Sequence, residues 1–162
     1  MGKKGLEKTN VMRILDQKKI SYEPHTYPHG VDPIDGVTVA SIIQRPPEQV
    51  FKTLVARGAS KNLCVFVIPV AMELDLKKAA KAAGEKSVAM MHVSEITPLT
   101  GYVRGGCSPI GMKKLYSTFF DESCLKLRTM IVSAGKIGYQ IETAPQQLID
   151  LTRGRTADLT VQ

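Results

Sequence analysis

Apolar residues recur with the period of an α-helix in several segments of the chain. In the segment VMRIL (11–15) they follow Thr9 or Asn10, either of which can cap the start of a helix. Farther along, Asp75 precedes a run of strong helix formers, and Gly84 stands where a left-handed C-cap belongs. The pattern predicts helices over 11–19, 37–44, 76–83, 93–96 and 145–153.

Short apolar runs bounded by turn residues predict strands. Segments 49–56 and 63–69 are apolar and rich in β-branched residues, and the polar RGASKN between them predicts a hairpin. The remaining runs are shorter and flanked by glycine, proline or charged residues. Together they predict strands over 20–27, 49–56, 63–69, 88–91, 114–120, 126–133 and 137–142.

The order of these elements predicts an α+β fold in a single domain spanning 1–162. Helices at both ends and in the middle are expected to flank a curved, mixed or antiparallel, barrel-like sheet. Residues 1–8 are expected to form a loosely ordered basic N-terminus, and a basic polar tail follows the last helix.

Composition excludes several classes of protein. Hydrophobic residues make up 43% and charged residues 23% of the 162 residues, which is typical of a soluble globular domain and not of a disordered chain. No apolar run approaches the roughly 18 residues of a membrane span, and the basic start precedes no signal-peptide core. A cytoplasmic protein that does not engage a membrane is expected.

Candidate metal ligands are few. The three cysteines are widely spaced without a C-x-x-C pair, which favours reduced thiols over a disulfide framework or a zinc site. His25 and His29 lie four positions apart in a strand and turn, where they need not share a face. Neither a metal nor another cofactor is expected.

The charge balance favours a polyanionic partner. Lys and Arg total 22 against 15 Asp and Glu, a formal net charge of +7, and nucleic acid is a natural partner for such a surface. The alternative is that the basic residues are scattered on solvated faces. With no Trp and 6% aromatic residues, the chain is poorly supplied for stacking single-stranded bases.

Lys52 interrupts the apolar run VFKTLV (50–55). A lysine directed toward a core or cavity is costly unless it meets an anion or another partner. One interpretation is a cation in a pocket that holds a phosphate or a carbonyl group. The other is an edge-strand lysine that discourages aggregation.

The segment 101–111 (GYVRGGCSPIG) is unusually rich in glycine. Dense glycines let the backbone approach a ligand and point N–H groups toward it, although neither a P-loop nor a G-x-G-x-x-G pattern is present. A structural turn is the alternative. Cys107 could be a thiol nucleophile beside Arg104, but no histidine is near it in sequence, which favours a packed small side chain.

The order and spacing of these motifs closely resemble the YbaK group of the prolyl-tRNA synthetase editing-domain superfamily. The resemblance covers about residues 9–160. The motifs that carry it are the initial helix, H-x-Y (25–27), V-F-K-T-L (50–54), L-D-L-K-K-A-A-K (74–81), G-Y-x-x-G-G-x-S-P-I-G (101–111), V-S-x-G-K (132–136) and A-P-Q-Q-L (144–148).

The resemblance implies a free-standing aminoacyl-tRNA deacylase that releases a mischarged amino acid, most readily Cys from Cys-tRNA(Pro), with the substrate's own thiol attacking the ester. It implies tRNA(Pro) as partner and leaves a prolyl-tRNA synthetase partner open. An enzyme for Ala-tRNA(Pro) or another mischarged tRNA, and a non-catalytic tRNA-binding module of a synthetase, are the alternatives. The implied catalytic residues are Lys52, Gly105 and Gly106, the implied substrate-binding residues are Tyr27, Thr53, Tyr102, Ser108, Pro109, Ser133 and Gly135, and the expected nucleic-acid contacts are Arg104, Lys113 and Lys136.

Overall fold

Eight strands and five α-helices make up the computed structural model, which describes residues 7–30 and 34–162. Two short 3-10 helices, Pro47–Gln49 and Glu122–Lys126, connect some of these elements. In chain order the elements are α1 (Asn10–Gln17), β1 (Glu23–Thr26), α2 (Gly36–Ile42), β2 (Phe51–Gly58), β3 (Leu63–Pro69), α3 (Leu76–Ala83), β4 (Val88–Met90), α4 (Val93–Thr100), β5 (Ser117–Asp121), β6 (Met130–Lys136), β7 (Tyr139–Thr143), α5 (Pro145–Thr152) and β8 (Arg155–Ala157).

The strands divide into two sheets. The smaller sheet is antiparallel in the order β1-β7-β6, and the larger is mixed in the order β4-β2-β3-β5-β8. A bridge between Val50, just before β2, and Ile131 on β6 connects the two sheets. The segments that enter β2 and β6 therefore lie side by side where the sheets meet.

Two main apolar clusters support this junction. The larger cluster joins α1, α5 and both sheets, and its centre includes Leu15, Phe120 and Leu148, none of which is exposed. The smaller one packs α3 against the five-stranded sheet, where Phe66 and Phe119 stack with ring centroids 5.6 Å apart. Burial of these side chains holds both sheets in fixed positions around the junction.

The predicted α+β class is confirmed, and so are most of the predicted elements. Thr9 caps α1 by accepting a hydrogen bond from the Met12 N–H at 3.2 Å, and Gly84 ends α3 with a φ of 69°. β2 and β3 form the predicted hairpin, in which Lys52 lies opposite Ile68. The sheet departs from the prediction, because the strands form two joined sheets in place of one.

Some boundaries were predicted wrongly. α4 continues through Pro98 to Thr100, because the Thr100 hydroxyl donates to the Ile96 carbonyl and the Gly101 N–H donates to the Thr97 carbonyl, which closes the last turn. The strand expected from 126 begins at Met130, and Lys126 is instead the last residue of a 3-10 helix. The strand expected from 114 begins at Ser117.

The C-terminal tail forms β8, which the sequence pattern did not predict. β8 lies parallel to β5 at the edge of the larger sheet. The buried Asp121 side chain accepts a hydrogen bond from the Leu159 N–H at 3.0 Å, and Leu159 is fully buried. Tertiary pairing thus orders a segment that has little apolar periodicity of its own.

Part of the expected loosely ordered N-terminus, residues 1–6, lies outside the described residues, as do residues 31–33. None of the helices within 7–30 and 34–162 combines the length and the apolar character that a transmembrane segment needs.

Candidate active site

A cavity with a volume of about 590 Å³ opens where the two sheets meet. β2 forms one wall, and Ser133 of β6 and Gln140 of β7 contribute to another. The start of α2, the β4–α4 segment and the glycine-rich loop around Gly105 complete it. The cavity thus gathers side chains from segments that are far apart in the sequence.

Lys52 brings a cationic side chain into this cavity. The side chain is half-buried, and no residue within 7–30 and 34–162 forms a hydrogen bond or an ion pair with its ammonium group. Burial lowers the pKa of Lys52, while the charge of Glu73 acts in the opposite direction. An unpaired, partly desolvated cation of this kind attracts an anion or a polarised carbonyl oxygen.

Two buried polar atoms in the cavity wall also lack partners. The Thr53 hydroxyl oxygen and the Gln140 carboxamide oxygen make no hydrogen bond in the described part of the chain. Buried polar groups are nearly always paired, so two unpaired oxygen atoms on residues that line one cavity indicate a site for a polar ligand. Gln140 was missed by the sequence analysis. Gln140 could have been found by the same feature that identified Lys52, because each is a polar residue within a short apolar strand.

The glycine-rich loop enters the cavity through Arg104, Gly105 and Cys107. Gly105 has a φ of 86°, a left-handed conformation that favours glycine. The Gly106 N–H donates to the Val103 carbonyl at 3.0 Å, and Gly106 lies outside the cavity lining. Within the described chain, the N–H groups of Gly105 and Cys107, two residues that line the cavity, donate to no other residue.

Four other predicted substrate-binding residues lie outside the cavity lining. Tyr102 is buried, and its hydroxyl donates to the Ile110 carbonyl. Burial and the neighbouring Cys107 raise the pKa of Tyr102 to about 12, so the phenol is neutral at physiological pH. The hydrogen bond from Tyr102 to Ile110 therefore stabilises the glycine-rich loop from outside the cavity.

The other three serve the loop or lie away from it. Ser108 is fully buried and accepts a hydrogen bond from the Ile110 N–H at 3.3 Å. Pro109 lines a separate cavity of about 180 Å³. Gly135 donates its N–H to the Ser133 hydroxyl at 3.1 Å, which orients Ser133 within the main cavity. Tyr27 is buried and lines that cavity as well.

The three predicted nucleic-acid contacts have different surroundings. Arg104 is exposed and lines the cavity. Lys113 is exposed and donates to the Pro98 carbonyl at 3.0 Å. Lys136 pairs with Glu7 and lies 5.4 Å from the centroid of the Tyr139 ring. The structure therefore brings only Arg104, of these three, to the cavity.

Cys107 is a poor nucleophile in this arrangement. Burial raises the pKa of its thiol to about 12, so the thiol is protonated near neutral pH, and it packs against the larger apolar cluster. None of the histidines lines the described cavity, which leaves the thiol without a basic partner there. The geometry supports the interpretation of Cys107 as a packed small side chain.

A polar cluster on the smaller sheet centres on the buried carboxylate of Glu142. Its oxygens accept hydrogen bonds from Thr129 at 2.6 Å, Gln49 at 3.1 Å and Arg45 at 3.3 Å, and lie 2.8 Å from His25 Nε2. Glu23, His25 and Glu142 have ligand atoms within 4.8 Å of one another. The carboxylate is already satisfied, however, and the cluster tethers β1, β6 and β7 to the segment before β2.

A second groove, of about 550 Å³, runs along α1 from Lys8 to Pro24. Lys8 and Asp16 form an ion pair across it. Since these charges satisfy each other, the groove offers less than the cavity around Lys52 to a charged ligand.

Residues 35–151 match the family model of the aminoacyl-tRNA editing domain, a range that includes Lys52 and the glycine-rich loop. The chain belongs to this family. The resemblance drawn from the motifs is thereby confirmed, and the cavity lies within the matched range of the editing domain.

One relative aligns with almost the whole of this chain. The chain is 44% identical over 160 residues to the candidate Cys-tRNA(Pro)/Cys-tRNA(Cys) deacylase EbsC of Enterococcus faecalis strain ATCC 700802 / V583, and the alignment covers 99% of this chain and 98% of EbsC.

Two solved structures share the fold. A candidate trans-editing enzyme for prolyl-tRNA synthetase superposes with a TM-score of 0.81 at 22% identity, covering 94% of this chain and 95% of the other. A hypothetical protein superposes with a TM-score of 0.84 at 20% identity, covering 94% of this chain and all of the other.

Proposed function

We propose that this protein is a free-standing deacylase that removes cysteine from Cys-tRNA(Pro). The observation that carries the proposal is a cavity lined both by Gly105 of the glycine-rich loop and by Lys52, whose ammonium has no partner among the described residues. Membership of the editing-domain family and the 44% identity to EbsC support the same reaction class.

Lys52 and the loop amides act on the aminoacyl ester. The ammonium of Lys52 donates to the ester carbonyl oxygen or to the phosphate of the terminal nucleotide. The N–H groups of Gly105 and Cys107 stabilise negative charge that develops on the carbonyl oxygen during attack. Because these donors are fixed by the fold before the substrate arrives, little reorganisation is needed in the transition state.

The nucleophile is the substrate's own thiol. The cysteinyl sulfur attacks the ester carbonyl carbon, the carbon–oxygen bond to the ribose breaks, and the thiol proton ends on the departing ribose oxygen. The products are a cyclic thioester of cysteine and uncharged tRNA. The protein contributes orientation of the thiol over the carbonyl, which by itself is worth several orders of magnitude in rate. The protonated thiol of Cys107 agrees with a reaction in which the substrate supplies the nucleophile and the protein orients it.

Binding of the tRNA depends on charge. The chain carries a formal net charge of +7, and the exposed Arg104 stands at the cavity, where it meets the phosphates next to the terminal adenosine. tRNA(Pro) is the proposed partner, a prolyl-tRNA synthetase is the proposed source of the mischarged substrate, and the cytoplasm is the proposed location.

A panel of charged tRNAs tests the proposal. Purified protein is incubated with Cys-tRNA(Pro), Ala-tRNA(Pro), Pro-tRNA(Pro) and Cys-tRNA(Cys), and the remaining aminoacyl ester is followed with time. Discharge of the two cysteinyl species with Pro-tRNA(Pro) left intact supports the proposal. Preferential discharge of Ala-tRNA(Pro) would replace the substrate, and salt-sensitive binding without discharge of any species would contradict enzymatic function.

A further inference from the structure

Gln140 places a carboxamide in the wall of the cavity. It lies on β7, directly opposite Ser133 on β6 and His25 on β1. The residue is 7% exposed, and its carboxamide oxygen is buried without a hydrogen-bond partner in the part of the chain that the structure describes. A ligand that donates a hydrogen bond to this oxygen would offset the cost of leaving it unpaired.

Few of the described side chains that line the cavity are free to accept a hydrogen bond from a donor on the substrate. Lys52 and Arg104 have donors only. The carboxylate of Asp35, which is exposed, already accepts two hydrogen bonds from Thr38, each at 2.9 Å. The Ser133 hydroxyl already accepts from the Gly135 N–H. Among the described side chains that line the cavity, the buried acceptors without a partner are Gln140 and Thr53.

The reactive end of an aminoacyl ester carries one strong donor, the α-ammonium group. We propose that the carboxamide oxygen of Gln140 accepts a hydrogen bond from this α-ammonium group, with the Thr53 hydroxyl as a second acceptor. The inference rests on the proposed function and adds to it a requirement for a free α-amino group. Gln140 is then a residue that determines substrate specificity.

A neutral acceptor suits this position for a physical reason. A carboxamide binds an ammonium group without taking its proton, and it leaves the ammonium of Lys52 unpaired for the carbonyl oxygen or the phosphate. Fixing the α-amino group also fixes the Cα of the amino acid, which directs the side chain toward the ester carbonyl. Recognition of the substrate and orientation of its thiol would therefore depend on the same contact.

The test measures binding, so that it does not depend on turnover. The ligands are 3′-cysteinylamino-3′-deoxyadenosine, which has an amide in place of the ester, and the same compound acetylated on its α-nitrogen. Dissociation constants are measured by calorimetry for the wild-type protein and for the Gln140→Leu, Gln140→Glu and Gln147→Leu variants. Gln147 is exposed on α5 and provides the matched control.

We expect the wild-type protein to bind the free amine more tightly than the acetylated compound. Gln140→Leu should weaken binding of the free amine by about 10- to 150-fold, the range for a hydrogen bond to a charged group, and leave the acetylated compound unaffected. Gln140→Glu retains an acceptor and should retain the preference. The control should behave as wild type.

Three outcomes would overturn the inference: no preference for the free amine in the wild-type protein, unchanged binding in Gln140→Leu, or equal weakening of both ligands. A denaturation midpoint for each variant identifies any general loss of folding, and Gln140→Glu then decides. If the preference holds while no charged tRNA is discharged, the proposed reaction fails but the recognition of the α-amino group stands.

Discussion

Gly106 packs directly against the backbone of Lys136, so that a β-carbon built on the glycine would lie 3.3 Å from the Lys136 Cα and 3.1 Å from the Ile137 nitrogen. Through this contact the glycine-rich loop packs against the end of β6. Gly105 of the loop and Ser133, three residues before Lys136 on that strand, therefore line the same cavity.

Gly106→Ala should displace the loop and lower both stability and activity. The new methyl group meets backbone atoms, which cannot rotate away, so we expect a loss of about 1–3 kcal/mol in the free energy of unfolding. Discharge of Cys-tRNA(Pro) should fall at the same time, because the amides of Gly105 and Cys107 move. Urea denaturation and a discharge assay measure the two effects.

Gly30→Ala is the matched control, because no atom of residues 7–30 and 34–162 lies within 4 Å of the β-carbon that it adds. Its stability and activity should remain near those of the wild-type protein. Equal behaviour of the two variants would contradict the seating of the loop through Gly106.

Cys107→Ser should retain discharge. The thiol has a pKa of about 12 as a result of burial, so it supplies no thiolate near neutral pH. We expect kcat/KM to change by less than about threefold, a difference of about 0.7 kcal/mol in the barrier. Treatment of the wild-type protein with iodoacetamide at pH 7 should likewise leave Cys107 unmodified by mass spectrometry. Rapid alkylation, or loss of turnover in the serine variant, would restore the thiol to the mechanism.

Glu142 should make the stability of the protein depend on pH in the acidic range. Burial by itself raises the pKa of Glu142, but hydrogen bonds from Thr129 and His25 and the charge of Arg45 outweigh it and leave the pKa below its ordinary value. A carboxyl group of this kind stabilises the folded state above the pKa of the unfolded chain. The stabilisation is lost as the pH falls through the lowered pKa.

Denaturation midpoints of the wild-type protein and Glu142→Gln, measured from pH 7 to pH 3, test this assignment. The variant should lose about 1–3 kcal/mol at pH 7, since the donors around the carboxylate lose a charged partner, and the difference should shrink as the pH falls. A difference that is independent of pH would show that the charge of Glu142 contributes nothing.

The sequence predicted the site best where a residue departed from the local hydrophobic or conformational pattern at an energetic cost. A lysine inside an apolar strand indicated a cavity or an edge, and the structure places Lys52 in the lining of a cavity. Glycines in the 101–111 loop predicted a close approach of the backbone to a ligand, and the structure shows Gly106 in close contact with the backbone of Lys136 and Ile137. These features depend on residue chemistry and on neighbours along the chain.

Features that depend on long-range pairing were beyond the sequence pattern. β8 forms because β5 offers it a partner, and the unpaired oxygen of Gln140 becomes evident only once β6 and β7 are paired. The motif itself could not separate the loop residues that face the cavity, such as Gly105, from those behind it, such as Tyr102. That distinction arises from which side of the loop meets the apolar cluster.

The most direct measurement of the central claim is the rate of Cys-tRNA(Pro) discharge by Lys52→Ala, compared with the wild-type protein and with Lys77→Ala. Lys77 is exposed on α3 and controls for the loss of a positive charge. We predict that Lys52→Ala remains folded and loses at least about 100-fold in kcat/KM, the effect of removing one donor to a developing oxyanion, whereas Lys77→Ala keeps full activity. Unchanged discharge by folded Lys52→Ala would contradict the role of its ammonium in the cavity.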